Sequence, residues 1–139
     1  MKHTINLKGQ TYSEQSTQET ALKIRGKYTK IRANHPIAKW KRNKASRWEL
    51  DIRWKELDPK ITLPCHITLT RLSHKEDPMD FDNLVYSFKG IRDAVAEKIL
   101  PGLPPGRADG DKRLEWKYSQ EKGLYGIRIE IEDQQEDTL

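Results

Sequence analysis

The sequence predicts an α+β fold class, with a small mixed β-sheet packed with helices. Three observations predict it. Residues 61–72 alternate apolar and polar side chains as a half-buried strand does, residues 83–100 carry apolar side chains at helical spacing, and the stretches 113–119 and 126–132 alternate again. A chain of 139 residues supplies one core and no more. A single domain over 1–132 is therefore expected, with an acidic, disordered tail at 133–139.

Taken in order, His3, Thr4, Ile5, Asn6, Leu7 and Lys8 alternate and predict an opening strand. Residues 9–20 are rich in Ser, Thr and Gln without apolar periodicity, and predict a loop. From Ile37 to Leu57 two patterns compete. Trp48, Leu50, Ile52 and Trp54 alternate with charged residues as in a strand over 45–57, whereas Ala45, Trp48 and Ile52 also form a helical stripe. The absence of Gly and Pro over this length, and the Asp58-Pro59 stop, favour a helix. Such a helix would carry Leu50, Trp54 and Leu57 opposite Ala45, Trp48 and Ile52, so it is either deeply buried or a subunit interface.

In the strand at 61–72, Leu63, Cys65, Ile67, Leu69 and Arg71 share one side. The helix at 83–100 has Leu84, Phe88, Ile91, Val95 and Ile99 as its core stripe, and Asp82, Tyr86, Lys89 and Asp93 on the opposite face, where Lys89 can pair with Asp93 one turn on. Pro101-Gly102 ends it. The last two strands, 113–119 and 126–132, are expected to pair as a hairpin across Glu121-Lys122-Gly123.

Composition narrows the function. The formal charge is +5, yet the last ten residues hold five carboxylates and no base, so residues 1–129 carry +10. Lys23 to Lys55 contains twelve Lys/Arg against Glu49 and Asp51, the electrostatic footprint of a nucleic-acid partner; a solvated basic face is the plainer alternative. One cysteine, Cys65, excludes an intramolecular disulfide and a thiolate metal cluster, and no run approaches the ~20 apolar residues of a membrane span, so a soluble cytoplasmic protein without membrane attachment is expected.

The chemistry-bearing residues are acidic. Asp80 and Asp82 stand two apart ahead of the helix, and two such carboxylates repel unless a cation sits between them; hard oxygen donors suit magnesium or manganese. Asp82 as a helix N-cap is the competing role. Leu84 and Val85 exclude an EF-hand. Asp109 and Asp111 follow on a Gly/Pro-rich loop, where an ordinary Asp-Gly turn is an equal alternative. His3, His35, His66 and His74 are scattered without ligand spacing, and neither a phosphate loop nor a nucleophile elbow occurs.

Asp80-Phe81-Asp82-Asn83-Leu84, Phe88-Lys89 and Ile91-Arg92-Asp93-Ala94 resemble the signature of RusA-type endodeoxyribonucleases, Holliday junction resolvases common in phages and prophages. Asp109-Gly110-Asp111, the run Trp116 to Gln120 and the closing Gly126 to Ile131 resemble the phage branch, and the similarity spans about residues 61–132. The resemblance implies a homodimeric, magnesium-dependent nuclease that resolves four-way DNA junctions by paired nicks in recombination and repair, without a small-molecule cofactor, inside a bacterial host cell. It implies catalytic roles for Asp80, Asp82, Lys89, Asp109 and Asp111, with magnesium (or manganese) held by Asp80, Asp82 and either Asp109 or Asp111. Two departures stand out. Tyr86 occupies the place one turn after the second aspartate where the best-known member has its lysine, so Lys89 matches through the longer spacing of the phage branch. The usual closing Asp-Asp pair is here Ala108-Asp109 or Gly110-Asp111.

For DNA contact the expected residues are Lys39, Lys41, Arg42, Lys44, Arg47, Arg71 and Lys75, holding backbone phosphates without reading sequence. Paired cuts on a symmetric junction suit a two-fold dimer. Competing expectations are a DNA-binding regulator without catalysis and a nuclease acting on flaps or other branched DNA.

Overall fold

The computed structural model describes residues 1–9, 11–12, 16, 19–74, 78–104 and 106–134. Lys75 and positions 135–139 of the expected tail lie outside the described residues. Four strands form one mixed sheet in the order β1 (Lys2–Leu7), β6 (Gly126–Asp133), β4 (Cys65–Ser73), β5 (Leu114–Lys122). β6 runs antiparallel to both β1 and β4, while β4 and β5 are parallel. Parallel strands need a crossover, and the helical segments α2 (Phe81–Ser87) and α3 (Lys89–Ile99) supply it. The longest helix, α1 (Pro36–Leu57), packs against α3 and β1.

One side of the sheet is apolar because every strand alternates. Ile5 and Leu7, Cys65, Ile67 and Leu69, and Ile127, Ile129 and Ile131 are buried with Leu50, Leu84, Phe88, Ile91 and Val95 from the helices. The other side is polar and laced with ion pairs, such as Lys2–Glu130 and Arg128–Glu121. This is the mixed α+β arrangement expected from the sequence.

Four expectations are corrected. The strands at 113–119 and 126–132 exist, extended to Leu114–Lys122 and Gly126–Asp133, but they do not pair as a hairpin. β4 lies between them, so the three residues after Lys122 must cross two strand spacings, about 10 Å. Gly123 N–H donates to Ser73 O as the chain passes the end of β4. Next, the helix at 83–100 is two helices broken at Phe88. There Phe88 N–H bonds to Val85 O, three residues back, and Ser87 Oγ donates to Leu84 O, a back-bond that bends helices. Third, the expected loop ends early, since β2 (Glu19–Ile24) pairs with β3 (Lys27–Arg32) as a separate antiparallel hairpin. Arg25 and Gly26 both have positive φ, 51° and 83°, as a two-residue turn with the twist of the flanking strands requires. Fourth, β6 extends to Asp133, which the sequence reading assigned to the tail; its carboxylate is fully buried.

The helix reading of 37–57 holds, and its orientation is now defined. Leu50 is fully buried and Trp54 packs on the core, whereas Trp48 and Ile52 face outward. His35 caps this helix, its Nδ1 accepting from Ile37 N–H at 3.1 Å.

Candidate functional site

The first acidic pair opens α2. Asp80, and not Asp82, is the N-cap: its Oδ1 accepts from Asn83 N–H at 2.9 Å and its Oδ2 from the Asn83 side-chain amide at 3.0 Å. Asp82 sits exposed in the first turn, where its charge favours the positive helix end. The segment is anchored to the sheet by a reciprocal pair, Met79 N–H to Gln120 Oε1 at 3.0 Å and Gln120 Nε2 to Met79 O at 2.7 Å.

The second pair stands elsewhere. Asp109 lies in a 3₁₀ turn, Ala108–Gly110, and Arg92 from α3 holds it: Nε is 3.3 Å from Asp109 Oδ2, and an NH2 proton goes to Asp109 O at 3.1 Å. Trp116 Nε1 donates to the same carbonyl at 2.9 Å, and Arg92 NH1 donates to Tyr118 Oη at 2.6 Å. Asp111 accepts from the Arg113 backbone and guanidinium, and this hydrogen bonding pulls its pKa down to about 2. The Asp109 turn meets Trp116 on β5 and the Asp80 segment meets Gln120 on the same strand, with Tyr118 between them, its ring 6.1 Å from that of Phe81 and its hydroxyl accepting from Arg92.

Among the described residues no three of His, Cys, Asp and Glu form a group that could hold a metal ion. Carboxylates are the right donors for magnesium. Here Asp80 bonds Asn83, Asp109 pairs with Arg92 and Asp111 with Arg113, while Asp82 is exposed.

What does assemble is a cationic cleft of about 310 Å³ at the α2/α3 break, walled by α1. Lys39, Arg42, Arg47 and Lys89 line it, with Tyr12, Tyr86, Asn43 and, as the one carboxylate among the described lining residues, Asp93. Lys39 donates to the Tyr86 hydroxyl, and Tyr86 lies one helical turn beyond Asp82. Gly90 lets α1 come close, since a Cβ there would stand 2.6 Å from Asn43 Oδ1. Burial raises the Asp93 pKa, helped by the charge of Asp109 and opposed by Arg47 and Lys89. Four of the lining side chains are cationic, a charge balance that suits a small anionic group.

The other expected DNA contacts divide. Lys41 donates to Lys23 O, Arg42 to Ala33 O, and Arg47 pairs with Glu97 at 2.9 Å, so each also ties α1 to the rest of the protein. Lys44 is exposed over the Trp40 ring. Arg71 is a correction: only 7% exposed, it lies on the core-facing side of β4, as its place in the alternation with Cys65, Ile67 and Leu69 implies, and has almost no surface to offer a phosphate. No protein-family model matches the chain, and no curated protein matches it either. Tyr12, Asn43, Tyr86, Arg92 and Asp93 are site residues absent from the expected set. Tyr86 and Asp93 were legible as sharers of the Lys89 face; Tyr12 and Asn43 carried no signal, because α1 and the residues before it meet α3 only in the fold.

Proposed function

We propose that the protein is a structure-selective endodeoxyribonuclease of the RusA type, nicking four-way DNA junctions as a homodimer in a bacterial cell. The observation that carries this reading is that Lys89, the residue the resemblance makes essential, opens into a cleft it shares with Lys39, Arg42 and Arg47. A backbone phosphate seated there meets several cations at once. As water adds to phosphorus and the bond to the departing oxygen breaks, Lys89 neutralises charge growing on the phosphoryl oxygens. Tyr86 and Lys39 hold the strand beside Asp82.

Magnesium is the cofactor the resemblance implies. Asp80, Asp82 and either Asp109 or Asp111 would hold it, and it would polarise the scissile phosphate. The capping role of Asp80 favours a second reading, a DNA-binding protein that does not cut, in which that carboxylate is a helix cap and nothing more. One assay separates the two. With a synthetic four-way junction and magnesium, the wild type should nick symmetrically, and Asp82→Asn and Lys89→Ala should each lose at least about 100-fold in rate, the scale of removing a preorganised charge. Salt-sensitive binding without nicking would establish the regulator reading, and wild-type-like cleavage by Asp82→Asn would refute the site. Flap and duplex substrates in the same panel test junction preference.

A further inference from the structure

α1 carries a second surface that the cleft does not use. Trp40 and Trp48 are 60% and 69% exposed, and they flank a groove of about 440 Å³ lined also by Asn43, Lys44, Arg47 and Asp51. Eight residues separate the two indoles, about 12 Å along the helix axis. Lys44 stands between them, its ammonium 5.0 Å from the Trp40 ring centre. Neither indole N–H has a hydrogen-bond acceptor among the described residues, and the rings do not belong to the core cluster.

We infer that this groove binds unpaired nucleotides, with Trp40 and Trp48 each stacking on a base and Lys44 and Arg47 meeting the phosphates between. Single-stranded nucleic acid is recognised by aromatic platforms set along a basic track, because every base offers a π face and every nucleotide a charge. The groove has both parts. It also shares Asn43 and Arg47 with the cationic cleft, so one strand can pass from one to the other without leaving a positive surface. Residues 36–47 hold five cations, Lys39, Lys41, Arg42, Lys44 and Arg47, and no acid. Asp51, the one carboxylate among the groove's described lining residues, is already paired with Lys98 at 2.5 Å. A second copy of the chain is the less suitable occupant: a two-fold contact centred on this stripe would bring Lys44 against its own counterpart, whereas a polyanion neutralises it. The spacing of the rings exceeds the 3.4 Å rise between stacked bases, so each tryptophan takes its own base from an extended strand.

The inference does not depend on cleavage, and its test does not read cleavage. Titrating the full-length protein with a twelve-nucleotide oligothymidylate should quench tryptophan fluorescence. Trp40→Ala and Trp48→Ala should each weaken binding to that strand by about tenfold while changing affinity for a twelve-base-pair duplex less than twofold, and Trp48→Phe should restore most of the loss. Equal losses on both DNAs, or no loss in the double variant, would overturn it. So would sedimentation showing a wild-type dimer that the double variant dissolves, with strand binding lost only in consequence. Should the alanine variants fail to fold, protection of the wild-type indoles from acrylamide by the oligonucleotide decides instead: absence of protection overturns the inference. Junction nicking, measured separately, stands or falls on the cleft.

Discussion

Asp111 and Asp93 are acids with opposite fates, and the cause is local in each case. Arg113 sits two residues beyond Asp111 and bonds it from backbone and side chain, holding the carboxyl near a pKa of 2. Asp93 instead faces a partly buried cleft, where desolvation outweighs Arg47 and Lys89 and raises its pKa. Arg113→Ala should let the Asp111 pKa climb toward the ordinary 3.8, as read by NMR titration of its side-chain carbon. The sign follows. A depressed folded-state pKa favours folding above the unfolded value, and that benefit is lost as pH falls from 3.8 through about 2, so the variant should lack this part of the acid dependence. A midpoint unmoved from about 2 would locate the cause elsewhere. Two-residue contacts of this kind are readable in principle from DGDKR, but only the turn geometry puts Arg113 on the carboxylate.

Among the elements, the junction of α1 with α2 and α3 is the one on which the site depends. Lys89 and Gly90 begin α3 immediately after the break at Phe88, and Gly90 accepts the Asn43 amide against its bare Cα. Replacing Gly by Ala in a helix ordinarily gains about 0.5–1 kcal/mol. Here the added methyl meets Asn43 Oδ1 at 2.6 Å, and α1 or the amide must give way. Gly90→Ala should therefore be destabilising or neutral alone, and stabilising by about 0.5–1 kcal/mol when made in an Asn43→Ala background, as urea unfolding midpoints would register. Equal effects in both backgrounds would show that the approach is not tight. The helical stripe from Leu84 to Ile99 was legible because its period survives the bend; the bend itself was not, since Ser87 and Phe88 break no propensity rule and Phe88 departs from the helix to fill the core.

Across the whole molecule, Asp133 closes the sheet. Its buried carboxylate accepts from Thr62 N–H at 3.1 Å, lies 3.4 Å from His3 Nε2 and 3.4 Å from the terminal ammonium, and so ties β1, β6 and the approach to β4 together. Asp133→Ala should cost about 1.5–3 kcal/mol, the scale of a buried hydrogen bond to a charged group, and lower the thermal midpoint accordingly. A change under about 0.5 kcal/mol would mean the carboxylate is dispensable. The same charge acts with burial to push the Cys65 thiol up to about 11. The sequence by itself determined the alternating strands, the helical stripes, the basic half of the chain and the aspartate positions, because each is a matter of spacing along one segment. Tertiary structure alone decided that β4 would separate β5 from β6, that Asp109 would be held by Arg92, and that α1 would wall a cationic cleft. Those outcomes depend on strand order and on which helix face meets the sheet, and such choices are made by long-range burial after local pattern has been satisfied.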